Sequence, residues 1–332
     1  MNYYIKVQTI NKAKTDIDVI YSQLGFTNLA WEHNSGKAVA RFLSNLTGVM
    51  HILWSVKKGD YLYLQYPLKK FYYMACTFAH WKGAKVVTVI HDLGAFRRKK
   101  LTPEQENQRL SKTDYLICHN DTMKDYLVRH GFRGYIYSLG IFDYLSNAEP
   151  KNYPSPHHPW RVAYAGELNH HRNGYLYQLA AMGHAWDLYL YGRHFEAENV
   201  HDPHIFYVGN FKEDDLVRNV EADFGLVWDG GSTKECEGAW GSYLKINNPH
   251  KTSFYLRAGI PVIVWKQAAM RDFILKHNLG ICINSLDELN DALSALTTDE
   301  YQQLRDNAKH FSRLLAEGHF TKSAFENVRS AK

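Results

Sequence analysis

The sequence of 332 residues predicts an α/β protein made of two consecutive domains, each built around a parallel sheet. Short apolar segments alternate with segments of helical spacing, and this alternation restarts at Arg161. Between the halves, residues 147–159 contain four prolines, which interrupt regular structure and stiffen a connection. The length suits two domains of about 150 residues each. We therefore assign residues 1–146 to an N-terminal domain, 147–159 to a linker, and 160–332 to a C-terminal domain that includes the last helices.

The first half contains five strand-like segments, separated by segments of helical character. The predicted strands are residues 3–10, 61–65, 85–90, 115–118 and 135–139, and the predicted helices are residues 17–24, 38–49, 71–82 and 121–130. Asp16 is the predicted N-cap of the first helix. The valine-rich run at 85–90 has the composition of a buried parallel strand, and it ends in His91 and Asp92.

The second half contains six strand-like segments and a final helical stretch. The predicted strands are residues 161–165, 188–191, 205–208, 224–228, 260–265 and 280–283, and the helical stretch is 299–330. Ligands of open α/β sheets bind at the carboxyl ends of strands, so the residues that follow these strands are candidates. They include Gly166, Arg193 and Asp229, and an arginine there can hold a diphosphate with paired hydrogen bonds. A tight turn alone explains each glycine that follows a strand. Four such turns, at Gly166, Gly192, Gly209 and Gly230, favour a shared ligand cleft.

Charge and cysteine content exclude several classes of protein. The formal net charge of +5 is too small for a nucleic-acid-binding protein, and it suits a polyanionic small ligand or contact with an acidic membrane surface. The four cysteines are far apart, as expected for free thiols in a reducing cytoplasm. No apolar run approaches the roughly 20 residues of a spanning helix, and the N-terminus lacks a signal peptide pattern. We therefore expect a cytoplasmic protein.

The segment 241–253 concentrates polar and basic residues before a predicted helix over 251–257. Asn248 is its predicted N-cap, and Pro249 suits the first turn. A helix N-terminus presents unpaired N–H groups to phosphate, and Lys245 and Lys251 add full positive charges. This combination suits a leaving nucleotide diphosphate, whose charge grows as the glycosidic bond breaks. The alternative interpretation is a capped surface helix with solvated lysines.

Three C-terminal motifs carry a resemblance to a known family. Residues 225–230 (GLVWDG), 243–253 (YLKINNPHKTS) and 259–265 (GIPVIVW) resemble bacterial β-1,6-galactofuranosyltransferases of O-antigen assembly and the related adhesin glucosyltransferases. The likeness covers most of the chain, including residues 89–92 and 141–145. It implies a GT-B fold, with two Rossmann-like domains whose parallel sheets face an interdomain cleft. It also implies a UDP-sugar donor, cytoplasmic action and a homo-oligomer.

The resemblance also assigns residues to donor binding in the C-terminal domain. By position in the motifs they are Asp229, Tyr243, Lys245, Asn247, Asn248 and Lys251, with Arg193 and the loop at Thr15 as looser matches. The sequence departs from many retaining GT-B enzymes at Phe254, where those enzymes have a ribose-binding glutamate. This departure puts a retaining mechanism in doubt.

An inverting transfer needs a base that takes the proton of the acceptor hydroxyl. Asp92 is the first candidate and His91 the second, because they end a central strand of the N-terminal domain; Glu32 and His33 are further options. A hydrogen bond from His91 to backbone is the alternative to a catalytic role. We expect no metal and no cofactor, because the adjacent aspartates at 214–215 are interpreted as a helix start.

Three functions stay open on these residues. The first is transfer of galactofuranose from UDP-galactofuranose to a glycan acceptor in cell-surface polysaccharide assembly, for which we expect a lipid-linked glycan. The second is glucosyl or hexosyl transfer to a GlcNAc-modified, serine-rich adhesin, and the third is an inactive nucleotide-sugar-binding partner of another transferase. The basic run at 97–100 has two interpretations, peripheral contact with acidic lipid or lipid-linked diphosphate, and a solvated loop.

Overall fold

The computed structural model describes residues 1–33, 35, 37–68, 70–97 and 101–330. The chain forms two compact units. The first comprises Met1–Phe142 with Gly318–Lys332, and the second comprises Asp143–Glu317. All four cysteines are free thiols. Within the described ranges, no helix is both long and apolar enough to cross a membrane.

The first unit contains a six-stranded parallel sheet of order β2-β1-β3-β4-β5-β6. The strands are β1 Asn2–Tyr4, β2 Thr27–Asn28, β3 Tyr61–Tyr66, β4 Lys85–Ile90, β5 Tyr115–Cys118 and β6 Tyr135–Ser138. The helices between them are α1 Lys12–Gln23, α2 Ala38–Ser55, α3 Phe71–Trp81, α4 Gly94–Arg97, α5 Pro103–Leu110 and α6 Asp121–Arg129. The central strands are apolar and almost fully buried, because helices cover a parallel sheet on both faces.

The second unit repeats this plan, with a parallel sheet of order β12-β11-β10-β7-β8-β9. Its strands are β7 Arg161–Glu167, β8 Asp187–Arg193, β9 Ile205–Gly209, β10 Phe224–Val227, β11 Val262–Trp265 and β12 Gly280–Ile283. Its helices are α7 His170–Asn173, α8 Tyr175–Leu179, α9 Glu213–Asn219, α10 Gly238–Gly241, α11 His250–Arg257, α12 Arg271–Lys276, α13 Leu289–Ser294 and α14 Thr298–Glu317. The predicted α/β architecture with parallel sheets is therefore confirmed.

The last helix, α15 (His319–Ser330), belongs to the first unit, whereas the sequence analysis placed it in the C-terminal domain. The ring of Phe325 lies 5.2 Å from the rings of Tyr21 and Tyr63, in the apolar core of the first unit. The predicted single helical stretch is broken at Gly318, whose φ of +73° favours glycine. Aromatic packing, which sequence periodicity does not reveal, determines where this helix lies.

The proline-rich segment at 147–159 has no regular secondary structure and packs on the second unit. The Tyr153 hydroxyl donates to the Ala222 carbonyl, and the His157 ring lies 3.0 Å from a carboxylate oxygen of Asp223. Residues predicted as a linker therefore form part of the surface of a compact unit.

Several predicted boundaries agree with the structure and two helix starts differ. Strands β4, β5 and β12 occupy the predicted residues. Helix α1 begins four residues before Asp16, because the Asn11 side chain accepts from the N–H of Lys14; Asp16 instead pairs with Lys12 at 2.9 Å. Helix α11 has Pro249 at its N-cap, so the predicted cap at Asn248 is wrong.

Candidate functional site

Two glycines lie side by side at the carboxyl edge of the second sheet. Strands β7 and β8 pair in register, so that Gly166 faces Gly192 and Glu167 faces Arg193. The two glycines have φ values of +154° and +156°, which side chains rarely permit. A Cβ on Gly192 would lie 1.8 Å from the Gly166 carbonyl oxygen. The register therefore demands glycine at position 192, which is buried, whereas the backbone of Gly166 is exposed at the edge of the sheet.

A pocket of about 380 Å³ lies at this edge, within the second unit. Its charged or titratable lining residues are Glu167, Arg172, Arg193, His250 and Lys251. The lining has three permanent cations and one carboxylate, and the Asp229 carboxylate pairs with two of these cations, so the balance of charge is positive. Such a balance suits an anionic ligand.

Lys251, in the first turn of α11, is the most buried cation of this pocket, with 15% of its side chain exposed. Its Nζ donates to Asp229 Oδ1 at 3.0 Å, to the Tyr164 hydroxyl at 2.6 Å and to the Trp228 carbonyl at 3.2 Å. Burial lowers the pKa of Lys251, and the nearby Asp229 carboxylate opposes that effect. The carboxylate thus helps to keep a buried ammonium charged.

Gly166 also determines the room beside this ammonium. A Cβ on Gly166 would lie 3.2 Å from Lys251 Cε, tighter than ordinary contact. The absence of a side chain at Gly166 therefore allows the Lys251 side chain to lie against the end of β7.

Arg172 and Glu167 extend the polar lining. The Arg172 guanidinium lies 3.9 Å from the centroid of the Trp240 ring and 3.8 Å from Asp229 Oδ1. Burial acts to raise the pKa of Glu167, but hydrogen bonds from His194 and Asn169 outweigh it, so this pKa lies below its usual value. Glu167 is therefore ionised at neutral pH.

The structure brings together Gly166, Arg193, Asp229 and Lys251, but not the other residues predicted for donor binding in this unit. Tyr243 and Asn248 are buried, and Lys245 is exposed with Nζ 5.2 Å from the centroid of the Trp265 ring. Asn247 is half-buried, and its Oδ1 has no hydrogen-bond partner among the described residues. None of these four is in the described lining of the pocket.

The remaining predicted residues belong to the first unit. Thr15 lies in α1, where its hydroxyl donates to the Lys12 carbonyl at 3.0 Å. The His91 ring stacks on Phe142 with centroids 5.3 Å apart. Asp92 forms a bidentate ion pair with Arg97, whose Nε lies 2.9 Å from Asp92 Oδ1. Of the further options, Glu32 accepts from Lys6 at 3.2 Å and His33 is half-buried.

A buried glutamate that sequence analysis missed holds the loop after His91 and Asp92. The Glu106 carboxylate accepts from the N–H groups of Gly94 and Ala95, both at 2.9 Å, and from the Tyr66 hydroxyl at 3.0 Å. Burial raises the pKa of Glu106. In the sequence this residue is one of two acids in the first turn of α5, a pattern that capping explains equally well.

No group of three or more His, Cys, Asp or Glu side chains suited to a metal ion occurs among the residues that the structure describes. Asp214 and Asp215 lie in the first turn of α9, as predicted, and Asp214 accepts a hydrogen bond from Ser146. Of the basic run at 97–100, residues 98–100 lie outside the described part of the chain.

Comparison with known proteins identifies the family. The family model for the glucosyltransferase 3-like N-terminal domain matches residues 2–141, and that for the C-terminal domain matches residues 162–328. The beta-1,6-galactofuranosyltransferase WbbI of Escherichia coli (strain K12) is 30% identical over 321 residues, which are 96% of this chain and 92% of that one. Glucosyltransferase 3 of Streptococcus gordonii is 26% identical over 322 residues, 93% of this chain and 91% of that one.

Solved structures of low sequence identity share the fold. The apo form of the lipopolysaccharide outer core galactosyltransferase WaaB has a TM-score of 0.63 at 12% identity, covering 98% of this chain and 99% of that one. Sucrose-phosphate synthase from Thermosynechococcus elongatus has a TM-score of 0.61 at 13% identity, covering 100% and 99%. The two parallel sheets and these neighbours confirm the GT-B fold. The chain is therefore a glycosyltransferase that belongs to the glucosyltransferase 3-like family.

Proposed function

We propose that the protein transfers a hexose from a UDP-sugar to a glycan acceptor, and that galactofuranose from UDP-galactofuranose is the first donor to test. The E. coli relative, named as a beta-1,6-galactofuranosyltransferase, supports this choice over nearly the whole chain. The alternative is glucosyl or other hexosyl transfer to a GlcNAc-modified adhesin, which the Streptococcus gordonii relative supports at lower identity. Cell-surface polysaccharide assembly is the proposed setting of the first reaction.

The observation that carries the donor proposal is the exposed backbone of Gly166 in a pocket lined by three cations. A diphosphate fits such an edge, because it needs close approach to backbone and compensation of its charge. In this proposal Arg193 and Lys251 bind the diphosphate, and Arg172 contributes a third positive charge. As the sugar departs, negative charge grows on the nucleotide, so these cations stabilise the transition state more than the bound substrate.

We assign this charge compensation to side chains and propose that no divalent cation is needed. UDP release should therefore continue at its initial rate after treatment with excess EDTA. A loss of activity that Mg²⁺ or Mn²⁺ restores would contradict this part of the proposal.

The proposed base lies in the first unit, with Asp92 as first candidate and His91 as second. Arg97 engages both carboxylate oxygens of Asp92, so Asp92 can accept a proton only when this ion pair shifts. His91 adjoins it at the end of β4 and has an imidazole suited to proton transfer near neutral pH. Substitution of each residue in turn separates the two assignments.

A donor screen tests the proposal as a whole. The full chain is incubated with UDP-galactofuranose, UDP-galactose or UDP-glucose and with lipid-linked or GlcNAc-bearing acceptors, and acceptor-dependent UDP release is measured. Release with UDP-galactofuranose is the expected result, and release with UDP-glucose on a GlcNAc-bearing acceptor supports the alternative. If calorimetry shows no UDP binding and no donor is turned over, both proposals fail.

A further inference from the structure

A long stretch of the first unit is almost free of acidic residues. Between residues 33 and 91 the only acid is Asp60, which pairs with the N-terminal ammonium and accepts from the Lys57 N–H. The same stretch contains eight basic residues: Lys37, Arg41, Lys57, Lys58, Lys69, Lys70, Lys82 and Lys85. Helices α2 and α3, which form its outer layer, contain no acid at all.

Helices α2 and α3 lie side by side on one face of the first sheet. The connections β2-α2-β3 and β3-α3-β4 cross the sheet in the same direction, and right-handed crossovers then place both helices on the same face. The rings of Phe42 and Phe71 lie 5.3 Å apart where the two helices meet. The two helices therefore run parallel to each other. Both begin at the carboxyl edge of the sheet and end at its amino edge.

This pair of helices exposes large apolar side chains along its length. We define the α2–α3 face by the exposed residues Val39, Phe42, Leu43, Trp54, Tyr73 and Trp81. Trp54 and Trp81 are 70% and 73% exposed and lie at the C-terminal ends of the two helices. Such an exposed set on one surface marks an interaction site rather than scattered exposure.

Basic side chains surround the α2–α3 face. Lys37, Arg41, Lys58 and Lys70 are exposed. The Lys70 ammonium lies 4.5 Å from the centroid of the Phe42 ring. The nearest acid beside α3, Asp114, is already paired with His80 and Lys85 at 3.0 and 3.3 Å. Exposed apolar and basic groups on two helices that contain no acid are complementary to an anionic apolar surface.

We propose that the α2–α3 face docks on a membrane surface of anionic lipid, with both helices parallel to the bilayer plane. Tryptophan favours the headgroup region, where its ring is partly buried, and lysine and arginine bind acidic headgroups. A symmetric pair of chains meeting through this face would juxtapose the same basic residues without acids, which disfavours a second copy as the occupant.

Docking in this orientation has a consequence for the proposed transfer. Helices α2 and α3 begin at the carboxyl edge of the first sheet, the edge at which β4 ends before His91 and Asp92. A lipid-linked acceptor would therefore be held near that edge. This consequence rests on the proposed function, whereas membrane docking itself does not.

Vesicle binding by the full chain tests the proposal. Cosedimentation is measured with phosphatidylcholine vesicles, with and without phosphatidylglycerol, for the wild type and the double variants Trp54→Ser/Trp81→Ser and Arg41→Glu/Lys70→Glu. We expect binding only to anionic vesicles, weakened by salt, and at least a tenfold loss in each double variant, given about fivefold per basic residue at the surface. Tyr135→Ser is the control for loss of an exposed aromatic side chain, because Tyr135 lies on β6 and is 66% exposed. Lys276→Glu in α12 is the control for charge reversal. Both should bind like the wild type.

UDP titration and light scattering accompany every variant, so that failure of docking is distinguished from failure of the donor site. Cooperative urea unfolding like that of the wild type shows that the two double variants are folded, and UDP titration reports separately on the donor site. The proposal is overturned if the wild type does not bind anionic vesicles. It is also overturned if either double variant binds them as well as the wild type does. The proposal is also overturned if the wild type is an oligomer that does not bind vesicles and Trp54→Ser/Trp81→Ser is a monomer. The α2–α3 face would then be a protein interface.

Discussion

Replacement of Lys251 by methionine removes the most buried cation of the proposed donor pocket and keeps most of the apolar volume of the side chain. The substitution deletes three hydrogen bonds, to Asp229, Tyr164 and Trp228. Among the residues that the structure describes, it also leaves the Asp229 carboxylate, in a residue 5% exposed, with Arg172 at 3.8 Å as its one remaining ion-pair partner. One substitution therefore disturbs both folding and the proposed diphosphate site.

The two effects have different magnitudes and can be separated. Breaking a buried ion pair by removal of one partner costs about 3–5 kcal/mol, so the free energy of unfolding should fall by about that amount. Loss of one hydrogen bond from a cation to diphosphate costs about 1.5–3 kcal/mol, which raises the Kd for UDP about 10- to 150-fold. A second substitution, Asp229→Asn, removes the unpaired carboxylate. The double variant should recover most of the lost stability and none of the lost UDP affinity.

Urea unfolding and calorimetric UDP titration of the wild type, both single variants and the double variant measure these quantities. Asp229→Asn alone is the matched control, because it breaks the same ion pair while the Lys251 side chain stays in place. If the double variant bound UDP like the wild type, Lys251 would be a structural partner of Asp229 only, and the donor proposal would lose its central cation.

Three further outcomes are expected. Gly166→Ala should raise the Kd for UDP about tenfold by strain at φ +154° and by crowding Lys251, and an unchanged Kd in a folded variant would place the diphosphate elsewhere. Burial raises the pKa of Asp18 to about 7, so the folded state keeps a proton that the unfolded state has lost, and this stabilising contribution disappears as the pH rises from about 4 to 7. Urea unfolding should therefore show Asp18→Asn more stable than the wild type at pH 8, by up to about 4 kcal/mol, and close to it at pH 4.5; equal effects at both pH values would refute the assignment. Asp92→Asn should slow transfer at least about 100-fold with UDP affinity retained, whereas Arg97→Gln should leave most of the rate, and full activity of the Asn variant would remove Asp92 as the base.

Strands buried on both faces were the most predictable elements, because their composition alone indicates them. The valine-rich run of β4 and the apolar segment of β5 lie where the sequence places them. Strand β1 was harder, because the predicted segment continues through residue 10 whereas pairing stops at Tyr4. The Val7 N–H donates to the Asp18 side chain instead of a neighbouring strand. The Asp18 side chain, eleven residues away, thus takes the place of a strand partner, and no local sequence pattern predicts this contact.

The candidate site was predictable in kind but not in its pairing. Glycines after strands, and a lysine at a helix start, pointed to Gly166 and Lys251. The sequence did not show that Gly166 and Gly192 face each other, since register depends on the whole β7–β8 pair. Nor did it show that Tyr243 and Asn248 point into the protein, because polar residues before a helix are equally common on its surface.

The Lys251–Asp229 pair explains why the proposed donor site carries an acid that does not favour the donor. Without a ligand, an isolated ammonium with only 15% of its side chain exposed would tend to lose its proton, because burial lowers the pKa of Lys251. Asp229 opposes that loss and fixes the ammonium beside the open backbone of Gly166. In the proposed reaction the arriving diphosphate then meets a cation that is already charged and positioned, and the exchange of one of its three hydrogen bonds is the reorganisation that binding requires. Part of the attraction to the diphosphate is offset by Asp229, and this offset favours release of the nucleotide product after the sugar has left.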